Sequence, residues 1–194
     1  MEIGATKAVQ DRLKTTKIEE SKGASLVFCW DTHLTKIKGR NVLFIVNASN
    51  RYTIAMTDIE PRNWNYYTMY IRSVIHGVMQ EMGYSEDQIG QYFKMSGDTT
   101  VTKTHGRKSV GGINRMVMDA QYFGKKLEKE AKYQWELSEY LNRDICQPEG
   151  FDAYGYPSEL FKLDMERLGI AAKREPAKVI DFAQYIENNR GTND

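Results

Sequence analysis

Cysteine and proline are scarce in this 194-residue chain, at 2 and 4 residues, and no apolar run is longer than Val42–Val46. Two thiols, Cys29 and Cys146, cannot form the framework of a disulfide-stapled domain. An apolar run this short falls far below the roughly 20 residues of a membrane-spanning helix, so no membrane association is expected. The opening MEIGATKAVQDRL carries charge throughout and lacks the apolar core of a signal peptide, so the expectation is a cytoplasmic protein with reduced thiols. Charge of one sign is missing as well: 27 Lys and Arg stand against 26 Asp and Glu, which excludes a uniformly basic binder. What is present, 41% hydrophobic and 27% charged residues, is the composition of an ordinary globular domain able to bury a core without disulfides or a structural metal.

The near-neutral sum conceals two unlike parts. Thr32 to Met118 holds eleven basic residues and six acids, and the rest of the chain carries the compensating negative charge. Acids are absent from Thr99 to Met118, where Lys103, Arg107, Lys108 and Arg115 flank His105. Scattered solvated charge is the plain reading of such residues. A basic face able to neutralise phosphates is the sharper one, and it would draw on Lys36, Lys38, Arg40, Arg51, Lys103, Arg107, Lys108, Asn114 and Arg115.

Periodicity predicts an α+β fold: a mostly antiparallel sheet of about four or five strands covered by helices, with a helical C-terminal half. Val9 and Leu13 after Thr6 suggest a short first helix. SLVFCW, HLTKIKGRNVLFIV and RYTIAMTDI are β-branched and aromatic, with Lys38-Gly39-Arg40-Asn41 as a turn, and read as a strand meander. Asn47-Ala48-Ser49-Asn50 forms a tight turn that presents Arg51. Helical spacing follows from Pro61 through Met82, then a capping start at Ser85-Glu86-Asp87-Gln88. Asp98–Thr104 alternates as a fourth strand, and a long helix is expected from Ser109 or Gly112 to Gln134. Helices near Trp135–Asn142, Ser158–Leu168 and Pro176–Asn188 complete a single domain over 1–160 with a helical extension, 161–194, packed on it.

No residue spacing matches a zinc motif, a Walker loop or a nucleophile elbow, so no metal and no cofactor is expected; only a site assembled from residues distant in sequence could hold an ion. Cys29, between Phe28 and Trp30, reads as an inert core thiol. His76 reads as a structural histidine and His33 as lying at a strand edge. His105 differs, because the cations around it in sequence should lower its pKa and leave a neutral imidazole able to accept a proton. With Arg51, Tyr52 and Lys103 it supplies the side-chain types that metal-independent RNA cleavage needs. Exposed aromatics from Asn63-Trp64-Asn65-Tyr66-Tyr67 could stack on bases, although their helical spacing is that of core residues. A third reading is a protein-interaction module using the Tyr-rich segment Phe151–Tyr156.

Ile3–Leu13 with its Thr6-Lys7 pair, Leu26–Trp30, Val42–Tyr52 ending in Arg51-Tyr52, Thr102-Lys103-Thr104 to Arg107 followed by Ser109-Val110-Gly111 and Asn114, and Leu141-Asn142-Arg143 before Tyr156-Pro157 together resemble an uncharacterised bacterial family catalogued only as a domain of unknown function. The chain departs from that pattern at Asp31, where relatives often carry His after the tryptophan, and at Lys108, an extra residue between Arg107 and Ser109. Relatives occur in plasmids, phages and integrated elements. The resemblance therefore implies a mobile-element accessory protein acting on a nucleic acid (RNA) or a nucleoprotein complex such as a Cas nuclease, that is, an anti-CRISPR inhibitor. It supplies no catalytic residues and no oligomeric state.

Overall fold

The computed structural model describes residues 1–15 and 18–173; the helix expected over Pro176–Asn188 lies outside them. The elements run β1 (Glu2–Ala5), α1 (Lys7–Leu13), a 3-10 turn (Leu26–Phe28), β2 (Cys29–Ile37), β3 (Arg40–Asn47), β4 (Thr53–Thr57), α2 (Pro61–Asn65), α3 (Tyr67–Glu81), α4 (Glu86–Ser96), β5 (Thr100–Thr102), α5 (Gly106–Gln121), α6 (Trp135–Asn142) and α7 (Pro157–Arg167). The fold is α+β with five strands in the order β4-β3-β2-β1-β5.

The sheet is mixed rather than mostly antiparallel. The meander β2-β3-β4 is antiparallel as expected, and its first hairpin closes through Lys38-Gly39, both at positive φ (49° and 81°), the backbone that two-residue hairpin turns require. The difference comes from β1, four residues buried on both faces and therefore without the alternation that marks a half-exposed strand. It inserts between β2 and β5 and runs parallel to both, the chain returning from β1 to β2 through α1.

Side-chain alternation along β3 divides the core. Leu43 and Ile45 face the layer formed by α1, α3, α4 and α7, packing with Val9, Ile71, Ile75, Tyr92 and Phe161, whereas Val42, Phe44 and Val46 face α5 and α6 with Ile113, Met116, Ala120 and Leu141. The single helix expected from Pro61 to Met82 is broken at Tyr66, whose φ/ψ of −114°/40° is not helical. The Ser85–Gln88 capping box opens α4 as its sequence predicts.

The helix expected to reach Gln134 ends at Gln121. Residues beyond it are recruited to the free edge of β4: Thr57 N donates to Lys132 O (2.7 Å) and Gln134 N to Ala55 O (2.9 Å). Further along the same edge, Ser138 Oγ accepts from Ala55 N (3.0 Å), while the Asn142 amide accepts from Thr53 N and donates to Thr53 O (both 2.8 Å). At the opposite edge Lys103 N donates to Glu19 O (2.9 Å). The β4 edge is thereby covered along its length, and the β5 edge at its C-terminal end. Among the described residues no helix is long and apolar enough to cross a membrane.

Candidate functional site

Strand register sets the site. Glu2 pairs with Cys29 and Thr100, and Gly4 with Asp31 and Thr102. Because successive side chains alternate, these positions point to the α5 side of the sheet, while Ile3, Trp30 and Val101 point to the opposite core. The chain then leaves β5, passes through Gly106 at φ 86°, and starts α5 directly above them with His105 at its N-cap position.

His105 lies between two carboxylates. Its Nδ1 is 2.7 Å from Asp31 Oδ1 and its Nε2 is 3.0 Å from Glu2 Oε2, with all three side chains buried. Asp31 also accepts from the His105 backbone N–H (3.2 and 3.3 Å) and from the Ser109 hydroxyl. The outer oxygen of Glu2 accepts from Lys22 N (2.8 Å), and Ser21 donates to the same carboxylate. Position 4 has to be glycine: a Cβ there would stand 1.8 Å from Asp31 Oδ1. Cys29 Sγ, Glu2 and His105 offer ligand-type atoms within 4.8 Å of one another, all buried.

These surroundings reverse the expected titration of His105. Burial disfavours its charge, but the hydrogen bonds to Asp31 and Cys29 and the Asp31 charge outweigh burial and raise its pKa to about 10. Lys103 and Lys108, its neighbours in sequence, do not face the ring: Lys103 pairs with Glu20 and Lys108 donates to Pro148 O (3.2 Å). Glu2 is pushed up by burial and pulled down further by the Ser21, Lys22 and His105 hydrogen bonds, for a net lowering. An imidazolium donating from both nitrogens is the consistent state, a charged bridge tying β1, β2 and the start of α5 together.

The other residues named from sequence do not join it. Arg51, at φ 62° after the Asn47–Asn50 turn, donates to Gly112 O in α5 (3.1 Å) and lies beside the Cys146 thiol. That turn is buried rather than presented: Asn47 Oδ1 accepts from Ser49 N and Asn50 N, and Asn50 donates to Asp164 (2.9 Å). Tyr52 is buried against Phe161, and desolvation raises its pKa. Lys38 donates to Phe123 O and Lys125 O, and Arg40 to Glu128 O and the Asp58 carboxylate. Trp64 stacks on Tyr67. Phe151 is buried under Arg167, with Tyr154 and Tyr156 exposed. His33 sits within the central strand β2, not at an edge, and His76 is partly buried against Phe93 and Glu86.

A second grouping does form on the surface. Arg107, Lys108, Gly111, Asn114, Arg115 and Met118 are exposed along the outer face of α5, and Tyr122, 79% exposed, follows its last turn. Lys36 is drawn to the end of this face, its carbonyl accepting from Gln121 (3.0 Å). The one acid within α5, Asp119, is paired with Arg115 at 3.2 Å.

Sequence reading passes over Glu2, which no local pattern marks; Cys29 is the buried core thiol that its apolar neighbours suggest, here beside Glu2 and His105. Asp31 did stand out, as a departure from the family pattern. No curated protein and no solved structure matches the chain. Residues 2–160 match a family described as "Domain of unknown function (DUF6933)".

Proposed function

We propose that this chain, which belongs to the DUF6933 family, binds single-stranded RNA along the outer face of α5. The observation that carries the reading is the stripe from Arg107 to Tyr122, in which cations, the small Gly111, the amide of Asn114 and an exposed aromatic ring follow one helix face. Cations neutralise phosphates, and an exposed Tyr offers a surface on which any base stacks. Lys36 extends the track beyond the helix end. Lys38 and Arg40 are held by carbonyls and Asp58, as Lys108 is by Pro148 O and Arg115 by Asp119, and each has to exchange that partner for a phosphate. The alternative of a metal-independent ribonuclease finds no support at His105, whose nitrogens both face carboxylates inside the protein.

Fluorescence anisotropy of a labelled single-stranded RNA over a salt series tests the reading. With three or four phosphate contacts, the logarithm of affinity should fall with that of salt at a slope of about −2 to −3. Arg107→Ala should lower the slope by about 0.7, and Tyr122→Ala should weaken binding by about 1 to 3 kcal/mol at unchanged slope. Absent or salt-independent binding overturns it. The guide RNA of a Cas nuclease is one target such a mobile-element protein would take. Inhibition of target cleavage, lost with Arg107→Ala, is the measurement for that finer form.

A further inference from the structure

We propose that Glu2, Cys29 and His105 form a buried binding site for one Zn²⁺ ion, with Asp31 orienting the histidine. Two strands, β1 and β2, and the N-cap of α5 bring these ligand types together from positions 2, 29 and 105, and their donor atoms lie within 4.8 Å of one another. Two of the three donors are already aimed. Asp31 Oδ1, 2.7 Å from Nδ1, is the outer carboxylate that metal-ligating histidines typically carry, and it directs Nε2 inward. Lys22 N holds Glu2 Oε1 at 2.8 Å, which leaves Oε2 facing Nε2 at 3.0 Å.

Tetrahedral zinc with bonds of about 2.0 Å to nitrogen and oxygen separates those two atoms by about 3.3 Å, so the observed pair opens only slightly to admit the ion. The thiolate, bonded at about 2.3 Å, then closes on the pair by no more than about 1.3 Å. Binding releases the Nε2 proton and the thiol proton to solvent; the thiol gives up its 3.4 Å contact with Ser25 O, and water completes the fourth position. The site is separate from the proposed RNA face and does not depend on it.

The test is titration of the chelator-stripped full chain with Co²⁺, read by the near-ultraviolet thiolate-to-cobalt charge-transfer band. One equivalent should bind and generate the band, and Zn²⁺ should displace it. The band should persist in Cys146→Ser, vanish in Cys29→Ser, and require at least about tenfold more metal in Asp31→Asn. No band, or a band that survives Cys29→Ser, overturns the proposal. Should Cys29→Ser not fold by circular dichroism, X-ray absorption of the wild-type zinc form decides: one sulfur with nitrogen and oxygen ligands supports the site, and zero or two sulfurs refutes it.

Discussion

A methyl group at position 4 would collide with the one carboxylate on which the buried cluster turns. Asp31 cannot retreat, because His105 and Ser109 hold both of its oxygens. Gly4→Ala is therefore expected to destabilise the fold by about 3 kcal/mol, measured as a fall in urea midpoint at unchanged slope. His105 acts with the opposite chemistry, as the cation between two buried acids. Its pKa, raised from 6.5 to about 10, means that its contribution is complete below about pH 6.5 and is lost as pH rises through 10. In chelator-treated protein, stability should decline from pH 7 to 10 more steeply than in His105→Gln. That variant should lose about 3 to 5 kcal/mol at pH 7, because Glu2 and Asp31 are left without a cation. Glu2, with its pKa lowered, adds stability above its ordinary value near 4.5 that disappears in acid.

Among elements, α6 shows how side chains can stand in for a strand. Ser138 and Asn142 satisfy Ala55 N and both backbone groups of Thr53, so β4 ends the sheet without an open hydrogen-bonding edge. Asn142→Ala should cost about 2 kcal/mol, since two buried backbone groups lose their partners together, and light scattering on heating should reveal earlier aggregation through the bared edge. The same demand explains why the helix expected to reach Gln134 stops at Gln121. Phe123 and Leu127 keep their places in the core, but the backbone that follows serves β4 better as an extended segment. Helical spacing cannot register that competition, which depends on a strand 75 residues away for the Thr57–Lys132 bond.

For the molecule as a whole, the family match ends at 160, inside α7. The fold does not stop there: Phe161 and Met165 are fully buried in the core on that side, with Tyr52, Trp30 and Tyr84 around the Phe161 ring. Phe161→Ala should cost about 3 to 5 kcal/mol, and a chain truncated after Leu160 should show no cooperative thermal transition. An unchanged melt for the truncated chain would place the structural boundary at 160 after all.

Strand meander, capping box and amphipathic helices were legible because each is written in residues close together, as a period of two, a period of 3.6 or a turn residue at a required backbone angle. The acid-free stretch from Thr99 to Met118 was legible too, and it maps onto β5 and the face of α5 argued to meet RNA. Composition also excluded a disulfide framework and a membrane-spanning helix. Tertiary structure alone decided the parallel insertion of β1, since four residues buried on both sides carry no alternation to read. It also decided the surroundings of His105. Sequence neighbours suggested cations and a lowered pKa, but electrostatics acts through space: the groups within 3.0 Å of the ring are carboxylates from positions 2 and 31, and they reverse the sign.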